Sequence, residues 1–172
     1  VGSGSSVDIS FSLPSYSANS GSDNDYFGFD LWFDTGGSVT AEITSPNAYT
    51  ATQSAGSAAT TETDDGSIYL YNYLNANNSN RNVYTYIDDN DETKPPADGT
   101  WTLNIQNNSG SSMTYHGWLF NSSMGASLNS GDTDYTVGSP GTATEAITVG
   151  SWAGRWRWSN SSGSGYLASG SY

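Results

Sequence analysis

Residues 26–33, Tyr-Phe-Gly-Phe-Asp-Leu-Trp-Phe, contain the clearest structural pattern in this chain. In an extended chain every second side chain points to the same side, which groups Phe27, Phe29, Leu31 and Phe33. The other side receives Tyr26, Gly28, Asp30 and Trp32. The pattern predicts a β-strand with one wholly apolar face, and that face must be buried against another layer of the protein.

The same alternation recurs through the first 121 residues. Seven further stretches show it, within residues 7–13, 39–43, 49–51, 68–74, 83–87, 101–105 and 113–119. Clusters of Gly, Pro, Asn and Asp separate them, and no segment shows the spacing of an amphipathic helix. We therefore expect an all-β fold, an antiparallel sandwich or jelly roll of about eight strands. The expected domains are the sandwich, residues 1–123, and a Gly/Ser/Trp-rich extended segment, residues 124–172.

Charge and composition restrict the partners. Seventeen acidic against four basic residues give a formal net charge of −13 over 172 residues, so phosphate backbones are repelled and nucleic acid is excluded as a partner. Cations or basic partners are favoured instead. The chain has no cysteine and no apolar run long enough to span a membrane, and Ser, Thr, Asn, Gly and Tyr dominate it. This composition is typical of a secreted bacterial or archaeal protein.

Carboxylates crowd three of the expected loops. They are Asp88, Asp89 and Asp91, then Asp64 and Asp65, then Asp23 and Asp25. Calcium takes six to eight oxygen ligands, so these loops are candidate calcium sites, with the run at 88–91 first among them. The spacing of an EF-hand is absent. Solvated acidic loops without a metal are the alternative, and the residue pattern leaves both open.

Catalytic groups are scarce. The single histidine, His116, is expected on the outer face of its strand beside Trp118. The segment Asp34-Thr35-Gly36 matches the Asp motif of aspartic peptidases, but that chemistry needs two carboxylates from two such loops. We expect a tight hairpin turn there, and neither a catalytic nor a zinc site in this chain.

Tyrosines form a further pattern. Alternation predicts one sheet face that carries Tyr69, Tyr71, Tyr73, Tyr84 and Tyr86. Cross-strand packing explains such a band, and an exposed band would also suit glycan stacking or a protein contact.

Two segments resemble parts of subtilisin-like serine peptidases, the subtilases. Residues 140–151, Pro-Gly-Thr-Ala-Thr-Glu-Ala-Ile-Thr-Val-Gly-Ser, resemble the P-x-T-A-x-x-x-I-T-V-G-S/A segment that precedes the nucleophilic serine in that family. Residues 98–119 contain Gly-Thr-Trp-Thr-Leu and Tyr-His-Gly-Trp-Leu, which resemble the hairpin of the P domains and jelly rolls that accompany subtilases. The order, sandwich first and strand second, resembles a sandwich inserted within the catalytic domain.

The resemblance implies an accessory domain of a secreted endopeptidase. Such a domain would stabilise the enzyme, with calcium as a possible cofactor, and shape the access of protein substrates. Its partner would be the remainder of the catalytic domain or another copy of itself, with residues 136–172 returning into the catalytic core. The family's H-G-T-H and G-T-S motifs are missing, since Gly141-Thr142 is followed by Ala143. A structural or adhesive sandwich, such as a surface or filament subunit, is the first alternative, and a carbohydrate-binding module is the second.

Overall fold

A computed structural model describes residues 1–121 and 124–131, together with two short strands at 157–159 and 165–167. The chain divides into two compact units, Val1–Gly131 and Asp132–Tyr172. The subtilase-like segment 140–151 lies outside the described residues. The domain boundary expected after residue 123 stays a prediction, and the first unit also includes residues 124–131.

The described strands, in chain order, are β1 (Ser6–Leu13), β2 (Tyr26–Phe33), β3 (Val39–Thr44), β4 (Thr50–Gln53), β5 (Ser57–Thr63), β6 (Gly66–Leu74), β7 (Arg81–Asp88), β8 (Gly99–Asn107), β9 (Tyr115–Asn121), β10 (Ser127–Leu128), β11 (Arg157–Ser159) and β12 (Gly165–Leu167). In the second unit, β11 pairs with β12 in antiparallel register. The described residues contain no helix, and so none that could cross a membrane.

The first unit is a sandwich of two antiparallel sheets. Sheet A has the order β10-β1-β8-β3-β4, and sheet B has the order β5-β6-β7-β2-β9. The pairing of β1 with β8 and of β2 with β7 is nested, as in a jelly roll. The predicted all-β sandwich is therefore confirmed.

Within residues 1–121 the structure has nine strands, one more than the eight patterned stretches. The additional strand is β5, Ser-Ala-Ala-Thr-Thr-Glu-Thr, at the edge of sheet B. Because it pairs only with β6 and buries little side-chain surface, it has no alternating apolar residues to reveal it. Its backbone hydrogen bonds, rather than a hydrophobic face, hold it in place.

The inner faces of the two sheets form the core. Phe11 and Trp101 come from sheet A, Phe27 and Phe29 come from sheet B, and all four are 0–2% exposed. The ring centroids of Phe27 and Trp101 lie 5.6 Å apart in an edge-to-face arrangement, and Phe11 contacts Phe27 at 5.7 Å in the same way. The buried face predicted for residues 27–33 is the face that packs here.

The segment Asp34-Thr35-Gly36 is not a hairpin turn, contrary to the sequence expectation. It leaves β2 in sheet B and leads to β3 in sheet A, because β3 pairs with β8 and β4 rather than with β2. Arg81 holds this crossover from β7. Its backbone N–H donates to Thr35 O at 2.9 Å, and its Nε donates to Gly37 O at 2.9 Å.

Gly117 of β9 gives a test of the packing between β9 and the core. A Cβ at this position would lie 2.3 Å from Phe29 Cζ and 2.9 Å from Leu31 Cδ1. Gly117→Ala should therefore lower the free energy of unfolding by roughly 1–3 kcal/mol, as overpacking of a filled core does. Denaturant unfolding measures the change.

Gly110→Ala is the matched control, because a Cβ there meets nothing within 4 Å. Equal effects of the two substitutions would show that β9 does not pack as described.

Candidate functional site

The three acidic loops predicted from the sequence meet at one end of the sandwich. Asp23 N donates to Asp89 O at 3.3 Å, which joins the β1–β2 loop to the β7–β8 loop. Ala97 N donates to Asp65 O at 3.1 Å, which joins the β7–β8 loop to the β5–β6 turn. We refer to these connected loops as the acidic end.

Two carboxylates at the acidic end are buried and accept hydrogen bonds from backbone and amide donors. Asp25, 1% exposed, accepts from Asn19 N at 2.7 Å and from Asn19 Nδ2 at 2.6 Å. Asp89, also 1% exposed, accepts from Asn24 N at 2.8 Å and from Asp25 N at 3.1 Å. Asp25 therefore closes the β1–β2 loop on itself, and Asp89 joins that loop to the end of β7.

Asp65 has the same role on the other side of this end. Its Oδ2 accepts from Ser45 Oγ and from Asn47 N at 2.9 Å, and its Oδ1 accepts from Asn47 Nδ2 at 2.7 Å. The β5–β6 turn and the β3–β4 turn belong to different sheets, so Asp65 connects the two layers.

The more exposed carboxylates have different partners. Asp64 forms an ion pair with Lys94, with Oδ1 and Nζ 2.9 Å apart. Asp91 Oδ1 accepts from Thr93 N at 3.0 Å and from Thr93 Oγ1 at 2.8 Å, and these hydrogen bonds lower the pKa of Asp91. For Asp88 burial dominates and raises the pKa above its ordinary value.

This arrangement does not assemble a metal site from the described residues. The seven predicted ligands share one end of the sandwich, yet within residues 1–121 and 124–131 no three Asp, Glu or His side chains converge as metal ligands would. Both carboxylate oxygens of Asp25 and of Asp65, and Oδ1 of Asp89, accept from the chain's own donors. Calcium binding stays a prediction of the sequence.

A small cleft also opens at the acidic end. Its volume is about 250 Å³, and it is lined by Ser15, Tyr16, Ala18, Pro95, Pro96, Ala97 and Asp98. Its polar groups bond each other, because Tyr16 Oη donates to Pro96 O at 2.8 Å and Ser15 Oγ donates to Asp98. The cleft therefore has little polar capacity left for a ligand.

The outer face of sheet B is the more distinctive surface. Strand register places aromatic side chains in rows across β6, β7, β2 and β9. One row is Tyr69, Tyr86, Gly28 and Phe120; the next is Tyr71, Tyr84, Asp30 and Trp118; the third is Tyr73, Asn82, Trp32 and His116. The predicted tyrosine band is confirmed, and so are the outward positions of His116 and Trp118.

Gly28 allows the rings of this face to pack closely. A Cβ on Gly28 would lie 2.3 Å from Phe120 Cζ and 2.6 Å from Thr85 O. Phe120 can therefore lie over the backbone of β2 and stack on Tyr84, with ring centroids 5.4 Å apart and planes 18° apart. A glycine that looked incidental in the sequence has a packing function.

Asp30 is the one acidic residue within these aromatic rows. Its Oδ1 accepts from Asn82 Nδ2 at 2.6 Å, and its Oδ2 accepts from Trp32 Nε1 at 3.0 Å. Burial and then the charge of Asp30 raise the pKa of Tyr84. Sequence reasoning placed Asp30 on this face but did not single it out, because only the strand register shows that aromatic rows surround it.

The outer face of sheet A has an entirely different composition. Its outward residues on the three central strands are Ser6, Asp8, Ser10, Ser12, Thr100, Thr102, Asn104, Gln106, Thr40, Glu42 and Thr44. None of them is aromatic. The sandwich therefore does not require aromatic residues on an outer face, and those of sheet B need another explanation.

Comparison with solved structures finds the same fold in a protease. The structure of the Clostridium perfringens CspB protease matches 86% of this chain with a TM-score of 0.63 and 15% sequence identity. This chain spans only 30% of that protein's length. At this identity the likeness shows the fold. No protein-family profile matches the chain, and no curated protein matches it.

Asp65 and its neighbour Asp64 test how the acidic end is held together. Asp65→Ala should lower the free energy of unfolding by roughly 1–3 kcal/mol, because it leaves the buried Ser45 hydroxyl without its acceptor and removes both hydrogen bonds from Asn47. Asp64→Ala removes an exposed ion pair with Lys94 and an exposed hydrogen bond from Tyr49 Oη, and should change stability little. Denaturant unfolding of both variants measures this, and a similar loss in both would contradict the assigned role of Asp65.

The pKa values of Asp88 and Asp91 are shifted in opposite directions, so substitution of each residue should change stability at pH 7 in the opposite direction. The pKa of Asp88 is raised in the folded state, so its contribution to stability falls as the pH rises from the unfolded-state pKa through the folded one. Asp88→Asn should therefore be more stable than wild type at pH 7, with a difference that disappears below about pH 3.9. The pKa of Asp91 is lowered, so Asp91→Asn should be less stable at pH 7. The stabilities of both variants are measured in the presence of a chelator.

The same variants test calcium. If the run at 88–91 binds the ion, calcium should raise the wild-type melting temperature, and Asp88→Asn should lose most of that increase. An identical wild-type melting temperature with calcium and with chelator would count against the metal.

Proposed function

We propose that this chain is an accessory β-sandwich of a secreted subtilisin-like serine endopeptidase, from a bacterial or archaeal source, and that the bond-breaking groups lie in other parts of the parent protein. The supporting observation is the match of this sandwich to part of a protease, the CspB protease of Clostridium perfringens. The subtilase-like segment at 140–151 is a second, independent support from the sequence.

The proposed role is to stabilise the parent enzyme and to shape the access of protein substrates. A sandwich with a fully buried aromatic core and a hydrogen-bonded acidic end resists unfolding. It can therefore provide a rigid surface beside an active site. Calcium at the acidic end would add to that rigidity. The partner is the remainder of the catalytic domain, or another copy of this chain.

A structural or adhesive sandwich is the second candidate. The aromatic outer face of sheet B supports a structural or adhesive role as much as it supports an accessory role in an enzyme. In both cases a surface of this kind contacts other macromolecules. Self-assembly that depends on protein concentration would support a surface or filament subunit.

The peptidase assignment predicts two outcomes. The purified chain should leave casein intact with and without calcium, whereas the parent reading frame should encode H-G-T-H before residue 1 and G-T-S after residue 172. Deletion of residues 1–131 from that parent should shorten its half-life at elevated temperature, measured as residual activity on casein. A parent without those motifs, or reproducible casein cleavage by the purified chain, would overturn the assignment.

A further inference from the structure

The tyrosine face, defined as Tyr69, Tyr71, Tyr73, Tyr84 and Tyr86 on β6 and β7, is more than a packing surface. Tyr73 is 38% exposed, and the other four are partly exposed. They lie on one face of two adjacent strands, with Tyr69 opposite Tyr86 and Tyr71 opposite Tyr84. The outer face of sheet A carries Ser, Thr, Asn and acidic residues instead, so an outer face of this sandwich forms without aromatic side chains.

Asp30 adds a negative charge to one side of this face. It is the direct cross-strand neighbour of Tyr84, which in turn neighbours Tyr71. Of the basic side chains that the structure describes, Lys94 pairs with Asp64, and Arg81 is buried and donates to Gly37 O. Neither gives Asp30 a counter-charge. Each oxygen of the carboxylate accepts one hydrogen bond, from Asn82 or from Trp32, and a carboxylate oxygen has a second lone pair that a cation can use.

We infer that the tyrosine face and Asp30 bind an arginine-bearing polypeptide segment. A guanidinium group combines a positive charge with a flat surface, so it can stack on a tyrosine ring while it donates hydrogen bonds to a carboxylate. The net charge of −13 attracts such a segment over a longer range. Tyrosine-rich contact surfaces paired with arginine are typical of protein interfaces.

A neutral glycan fits the same surface less well. Sugar rings stack on aromatic rings that lie in a common plane, but here the rings tilt against each other, by 35° for Tyr71 and Tyr73 and by 65° for Tyr69 and Tyr84. The amide nitrogen of Asn82, a donor that this face could offer to a sugar hydroxyl, already donates to Asp30 and to Leu31 O. These observations favour the basic polypeptide.

The experiment titrates the full chain with an unstructured 12-residue peptide that contains four arginines, and measures binding by calorimetry. The same peptide with glutamine in place of arginine is the ligand control, and soluble cellohexaose is the glycan probe. Binding of the arginine peptide should be micromolar to submillimolar and about tenfold weaker at high salt than at low salt. Amide chemical-shift changes in the wild-type chain should map to β6, β7 and β2.

Variants then test the residues. Asp30→Asn and Tyr71→Ala should each weaken binding of the arginine peptide about tenfold. Asp8→Asn is the matched control: Asp8 accepts from Asn104 Nδ2 at 2.6 Å, as Asp30 accepts from Asn82, but lies on the polar face of sheet A. Asp8→Asn should leave binding unchanged. Thermal unfolding verifies that each variant is folded, and Asp30→Asn keeps the side-chain shape.

Several results would overturn the inference. The arginine peptide could fail to bind, or the glutamine peptide could bind equally well. Asp8→Asn could weaken binding of the arginine peptide as much as Asp30→Asn does, or the chemical-shift changes could map to another surface. Finally, cellohexaose could bind this face instead of the arginine peptide, independently of salt. The inference does not rest on the peptidase assignment, because none of these measurements depends on catalysis or on the parent protein.

Discussion

The contact between Trp101 and Phe27 across the two sheets is the interaction on which the rest of the structure depends. Trp101 is wholly buried, and its Nε1 donates to Ala97 O at 3.0 Å, so the largest side chain of the core also anchors the loop that precedes β8. That loop in turn donates to Asp65 at the acidic end. Apolar burial and the polar end are therefore parts of one connected structure.

The three buried aspartates illustrate how a highly acidic chain folds without disulfides. A buried carboxylate is costly unless donors surround it, and Asp25, Asp65 and Asp89 each receive at least two hydrogen bonds from backbone or amide groups. Asn19 and Asn47 each give both their backbone N–H and their side-chain amide to one aspartate. The Asn19 pair closes the β1–β2 loop, and the Asn47 pair joins turns of different sheets, which is the mechanical effect that a disulfide or a metal has in many secreted proteins.

The two outer faces show how one sandwich combines a solvated side with a side suited to contact. Each strand must give one face to the core, so only the alternate residues are free to vary. In sheet A these residues are hydroxyl, amide and carboxylate side chains, and in sheet B they are mainly aromatic. Close stacking of Phe120 on Tyr84 is possible only because position 28 lacks a Cβ. The aromatic face therefore depends on the missing Cβ at position 28 of β2 as well as on the aromatic side chains.

Period-two alternation determined the strands with an apolar face, the inward and outward residues of each and the sandwich class, because each of these depends on near neighbours in the chain. The edge strand β5 was not predicted, since its pairing uses backbone groups that every residue has. The path of residues 34–38 between sheets, the separation of the seven aspartates into distinct hydrogen-bond networks and the place of Asp30 beside Tyr84 required the tertiary structure. These features depend on which strands pair and in what register, and register joins residues that lie 50 or more positions apart in sequence.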